Sequence, residues 1–166
     1  PAAGDAGKTV TLTMSVANSP CTAATGSYTI NVSGTPTATA GGNKTVCVNQ
    51  TATVSGAASS NGTITWTSNG TGTIANANTL TPTYTPGSGD AGNTVILTMT
   101  VSNGVCTDAT AIYTVNVKAI PTAAAGGTQT ICQNGTATVS GATSSNGTIV
   151  WTENGPGSIT AGQGTL

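Results

Sequence analysis

The chain repeats itself at a constant offset of 85 residues, and no other feature restricts its fold as strongly. Pro36-Thr37-Ala38-Thr39-Ala40-Gly41-Gly42 returns as Pro121-Thr122-Ala123-Ala124-Ala125-Gly126-Gly127. Cys21 maps onto Cys106, Cys47 onto Cys132, and Trp66 onto Trp151. Gly4-Asp5-Ala6-Gly7 maps onto Gly89-Asp90-Ala91-Gly92. Between 36–73 and 121–158, 27 of 38 positions are identical, and between 1–35 and 86–120, 20 of 35 are. An offset that does not drift marks tandem duplication of one structural unit. The sequence therefore divides into three parts: the C-terminal half of a preceding repeat (1–35), a complete repeat (36–120), and the N-terminal half of a following one (121–166). Each half-repeat alone would expose strand edges and half a core. The expectation is a piece of a long repetitive chain. The alternative is a subunit whose halves complement those of its neighbours.

Within the unit the pattern is that of strands. Val10, Leu12, Met14 and Val16 alternate with Thr9, Thr11, Thr13 and Ser15, a period of two that predicts a half-buried strand. Thr94 to Val101 is its counterpart. Tyr28, Ile30 and Val32 alternate likewise and return as Tyr113, Val115 and Val117. Ala52 and Val54 mark another strand, and Ile64 and Trp66 a third, bracketed by Asn61-Gly62 and Asn69-Gly70 turn signals. Ile74, Leu80 and Tyr84 fall on one or two more. No stretch holds a 3.6-residue period. Seven or so short strands, with turns about 8–12 residues apart, predict an all-β Greek-key β-sandwich. The large core candidates are Trp66, Tyr84 and Tyr113, with Tyr28 and Trp151 as their equivalents in the half-repeats. Such a core is marginal for the length of the unit.

Composition narrows the function. Threonine supplies 37 of the 166 residues, which suits strands and keeps a surface soluble without charge. Charged residues are 4%, against about 25% in ordinary soluble domains. Without histidine there is no Ser-His or Cys-His dyad, no usual zinc site and no commonest general base. One Glu and three scattered Asp supply a carboxylate pair poorly. Three Lys and no Arg make no basic surface for nucleic acid or anionic lipid. No run of about 18 apolar residues exists, so membrane insertion by a helix is not expected. No catalytic residue, metal or cofactor is assigned, and a structural or binding role is favoured over an enzyme. A net charge of −1 gives almost no long-range field, so association should depend little on salt.

The order of motifs resembles a known class. A Pro-Thr-Ala opening (Pro36) is followed by Thr-Val-Cys (Thr45 to Cys47), the strand Trp66, Tyr-Thr-Pro (Tyr84 to Pro86) and Gly-Asp-Ala-Gly (Gly89 to Gly92). Asn-Gly-Val-Cys (Asn103 to Cys106) and Tyr-Thr-Val-Asn-Val (Tyr113 to Val117) close the unit. This resembles the Ig-like or PKD-like repeats of giant bacterial cell-surface adhesins, including gliding-motility adhesins exported by type IX secretion. The resemblance covers the whole chain. It implies tandem Ig-like repeats in a rod-like array, an extracellular filament on the bacterial cell surface, and an adhesive or stalk role. It carries over no catalytic residue. The implied partners are neighbouring repeats of the same chain, with other filaments or surface polysaccharide beyond them.

Four cysteines in an extracellular setting suggest disulfides. The favoured pair is Cys47–Cys106, leaving Cys21 and Cys132 to partners beyond the sequence. Cys21–Cys47 with Cys106–Cys132 is the alternative across the junctions, and a bridge from Cys47 to the next repeat is a third. No CxxC spacing points to a metal. Asp5 and Asp90 are the acidic positions kept between repeats, and they read as turn residues rather than calcium ligands, because calcium wants about six to eight oxygens. The competing functions are a stalk in a secreted polysaccharide-degrading enzyme, a carbohydrate- or ice-binding module, and a strand-complemented pilin-like subunit.

Overall fold

The computed structural model describes all 166 residues, and it is all-β, with no α-helix. Two compact units divide the chain, Pro1–Val117 and Lys118–Leu166. The second boundary expected from the repeat, after residue 120, falls a few residues from this division. At the first, after residue 35, the structure draws none.

The first unit holds eleven strands. They are β1 (Thr9–Val16), β2 (Ala24–Asn31), β3 (Thr37–Thr39), β4 (Asn43–Cys47), β5 (Ala52–Thr53), β6 (Ala58–Ser60), β7 (Thr63–Ser68), β8 (Thr73–Ala75), β9 (Thr83–Thr85), β10 (Thr94–Ser102) and β11 (Ala109–Lys118, whose last residue passes the division). Four of them make a sheet in the order β4-β11-β10-β7, and three make a second in the order β5-β9-β8. β3 and β6 pair as a short ribbon.

One core joins these strands. Period-two alternation sends Val95, Leu97, Met99 and Val101 of β10 inward, with Tyr113, Val115 and Val117 of β11. Val46, Ala52, Val54, Trp66 and Tyr84 complete the cluster. Trp66 pairs with Met99 across β7 and β10. Its indole N–H reaches the Thr79 carbonyl at 2.9 Å, so the ring is buried without stranding its one donor. The expected core positions Trp66, Tyr84 and Tyr113 thus lie inside. Leu80, expected on a strand, sits in the turn before β9 and stays half-exposed.

The β1–β2 hairpin reproduces β10–β11 in register. Leu12 faces Tyr28 as Leu97 faces Tyr113, and Thr9 faces Asn31 as Thr94 faces Asn116. Even the flanking bonds recur: Gly7 N–H to Val32 O at 2.7 Å, Gly92 N–H to Val117 O at 2.9 Å. Burial does not recur. Met99 is 0% and Tyr113 3% exposed, whereas Met14 is 67% and Tyr28 70% exposed. Tyr28 is therefore not a core residue in this structure. The hairpin forms a sheet of only two strands, with no counterpart of β4 or β7 beside it and no second sheet across it.

In the second unit only β12 (Thr122–Ala124) and β13 (Thr143–Ser145) pair. They repeat the β3–β6 ribbon, down to a 2.6 Å bond between Thr122 Oγ1 and Ser145 Oγ that copies Thr37 and Ser60. Trp151 keeps its indole bond, to Thr165 O at 3.0 Å, but is only half-buried. It was expected in a core; residues 118–166 contain no segment equivalent to β10 and β11 for it to pack on.

Candidate functional site

Two polar constructions stand out from the threonine surface, and both sit at the ends of the complete repeat. The first surrounds Asp90. The chain leaves β9, turns at Pro86-Gly87, and makes a single 3-10 turn at Ser88–Asp90. That turn drives the carboxylate inward, leaving Asp90 3% exposed. Oδ2 accepts from the Tyr84 hydroxyl at 2.6 Å and from Gly87 N–H at 2.8 Å. Oδ1 accepts from Thr71 N–H at 2.7 Å and from Thr71 Oγ1–H at 3.1 Å. The tyrosine oxygen in turn accepts from Gly72 N–H at 3.0 Å. One carboxylate thereby ties the β7–β8 loop, β9 and the turn before β10 together.

Electrostatics follow from the geometry. Burial alone would raise the Asp90 pKa; the donors from Tyr84, Thr71 and Gly87 stabilise the anion and hold it below the ordinary aspartate value. Burial, and the carboxylate beside it, push the Tyr84 hydroxyl above its ordinary value. The result is a donor that stays protonated against an acceptor that stays charged, which suits a structural staple and gives no group that exchanges protons near neutrality.

Asp5 and Asp90, read from the sequence as turn residues, occupy equivalent positions in the structure. Asp5 ends its own 3-10 turn, Ala3–Asp5, and accepts from Ala2 N–H at 2.7 Å, as Asp90 does from Gly87. The Tyr84 partnership was not foreseen. Its trace in the sequence is the glycine spacing: a Cβ on Gly70 or Gly72 would collide with the Tyr84 hydroxyl. That Gly-x-Gly returns at Gly155 and Gly157.

The second construction clasps the segment between β2 and β3. Asn61, in the left-handed region at φ 57°, donates from Nδ2 to the Thr35 carbonyl at 2.9 Å. Asn103 donates from Nδ2 to the Gly34 carbonyl at 2.8 Å. Its Oδ1 accepts from Cys106 N–H at 2.9 Å, and the Cys106 thiol lies 3.8 Å from the Ser33 carbonyl. Gly34 has no room for a side chain, since its Cβ would meet Asn61 Cγ at 2.9 Å. In the second unit Asn146, also at φ 57°, donates to the Ile120 carbonyl at 3.1 Å, the equivalent bond.

Comparison with known proteins adds little. No family model matches the chain, and no curated protein matches it. A solved structure, described as a nucleoside hydrolase-related hypothetical protein from Saccharophagus degradans associated with carbohydrate metabolism, is similar over 47% of this chain at 15% identity. The TM-score is 0.36, and the match spans 22% of that protein.

The cysteines do not pair. All four are free thiols, Cys21 and Cys132 exposed, Cys47 and Cys106 half-buried, so the expected Cys47–Cys106 bridge is not made. Cys106 is engaged with the Ser33 segment in the β10–β11 turn, while Cys47 ends β4, its N–H held by Gln50 Oε1 at 3.2 Å. No cluster of three His, Cys, Asp or Glu side chains exists to hold a metal.

Proposed function

We propose that the chain is a structural and adhesive segment of a long extracellular filament on a bacterial cell surface. Its units are Ig-like Greek-key sandwiches of 85 residues set in a rod-like array. The observation that carries the reading is the recurrence of the linker clasp: Asn61 on Thr35 and Asn146 on Ile120, one repeat apart with the same backbone conformation. A linker whose carbonyls are held by side chains of the next unit restricts bending, which a stalk needs and a loose string of domains does not. The four-stranded and three-stranded sheets around one core are what an Ig-like unit requires. The resemblance to gliding-motility adhesins supplies the surface location and the type IX export route. The partners are then neighbouring repeats, other filaments and surface polysaccharide.

The array is tested by small-angle scattering on polypeptides carrying increasing numbers of the 85-residue unit. A rod lengthens in equal steps of about 30 Å or more per unit, the span of a nine-residue strand. A maximum dimension that rises as the square root of the number of units would mean flexible beads and contradict the proposal.

A further inference from the structure

Cys47 and Cys106 lie at opposite ends of one strand. β4 is the neighbour of β11 in the four-stranded sheet. The Gly42 carbonyl, just before β4, accepts from Thr114 N–H in the middle of β11, at 3.1 Å. The strand ends decide which way β4 runs from there. The β10–β11 ladder ends at Thr94 and Asn116, yet β11 continues to Lys118. Its copy β2, with no β4 beside it, stops at Asn31, the equivalent of Asn116. The flanking bonds of Val32 and Val117 are alike, so the extension of β11 is the work of β4. β4 therefore runs parallel to β11 and brings Cys47, its last residue, to the C-terminal end of that strand. Cys106 lies in the turn before Ala109, at the other end. The ten residues of β11 put about 30 Å between those ends, whereas a disulfide needs Cα atoms within about 7 Å. The geometry thus accounts for two unpaired thiols within one repeat.

The same strand end meets the next repeat. Val32 and Ser33, which follow β2, stand one period before Val117 and Lys118 at the end of β11. The Ser33 carbonyl lies 3.8 Å from the Cys106 thiol, and Asn103 holds Gly34 beside it. In a tandem array two cysteines therefore converge on each junction. One is the Cys47 equivalent, at the end of the last strand of one repeat. The other is the Cys106 equivalent of the following repeat, set against the residue that ends that strand. Val46 points into the core, so Cys47, one step along β4, faces away from it and toward a partner outside the repeat. We infer that Cys47 forms a disulfide with the cysteine one period after Cys106, and Cys106 with the cysteine one period before Cys47. Each junction then carries one covalent staple beside its asparagine clasp. Cys21 and Cys132 hold the same places in the flanking repeats and pair outward in the same way. The bond forms by thiol–disulfide exchange. The two thiols give up two protons and two electrons, and an oxidised disulfide donor of the cell envelope takes them and leaves as two thiols. This inference rests on the tandem array proposed above.

Mass spectrometry of the native polypeptide tests it, with thiols blocked by N-ethylmaleimide before unfolding and digestion carried out without reduction. The expected result is that Cys47 and Cys106 both appear in disulfide-linked peptides, neither linked to the other. In a Cys47→Ser chain Cys106 stays linked, because its partner lies in the preceding repeat; a bridge within the repeat would release it. A reducing gel of the same sample gives the chain length and so separates the staple from the array. A heavy chain in which Cys47 or Cys106 carries the maleimide, or in which the two are linked to each other, overturns the staple and leaves the array standing. Release of Cys106 in the Cys47→Ser chain overturns it as well. A light chain overturns the array, and the staple with it.

Discussion

At the scale of single residues, Asp90 is the most exacting choice in the repeat. A buried carboxylate is tolerated because four donors meet it. Asp90→Ala leaves the Tyr84 hydroxyl buried without its acceptor, and urea unfolding should show a loss of about 2 kcal/mol. The pH dependence has a definite sign. The folded-state pKa of Asp90 is depressed, so its contribution is complete above the unfolded aspartate value of about 3.9 and is lost as the pH falls through the folded one. Tyr84 is raised, so its contribution is complete below the unfolded tyrosine value of about 10 and is lost as the pH rises through the folded one. Stability should therefore be level between those limits. Asp90→Asn should flatten the acid limb when unfolding midpoints are compared from neutral pH down to about 2. An acid limb unchanged in that variant would mean the carboxylate is not what the fold titrates.

At the scale of elements, the two copies of one hairpin form a natural experiment. Met14 and Met99 occupy the same register in the same strand pair, and only their surroundings differ. Met99→Ala should cost about 2–5 kcal/mol, whereas Met14→Ala in this 166-residue chain should stay within about 0.5 kcal/mol. Equal losses in denaturant melts would show that β1–β2 is packed after all. The pair also shows what the sequence could reveal. β1 and β10 were legible because strict alternation over eight residues has one reading, and the β1 bounds Thr9–Val16 match the alternation residue for residue. Trp66 was legible because the single tryptophan of the unit shares an alternating face with Ile64 on a strand bracketed by turn signals. Tyr28 was not, because alternation gives the face of a strand and not whether anything covers it. β5 and β9 are two and three residues long, too short for a period to register. The Tyr84–Asp90 bond joins positions that only the turn between them brings together. The asparagine clasp was legible only as a turn signal at Asn61-Gly62; that its amide would reach back to Thr35 depends on the β3–β6 pairing.

At the scale of the whole molecule, the chain is built from one module whose local structure is indifferent to its neighbours and whose core is not. β1–β2 and β10–β11 adopt the same register with or without partners, while burial arrives only when front and back halves meet. Under the proposed function such a design would propagate, each half-repeat meeting its complement in an adjoining repeat of the same chain. With a net charge of −1, nothing in the surface opposes close succession of units or depends on salt to permit it. The central claim is that this module is a link in a continuous covalent array. The measurement that addresses it most directly is the mass of the native polypeptide on a denaturing, reducing gel. The account predicts a chain many times heavier than the 15.9 kDa of these 166 residues. A native chain of about that mass would contradict it, leaving a small subunit completed by its neighbours in place of a covalent filament.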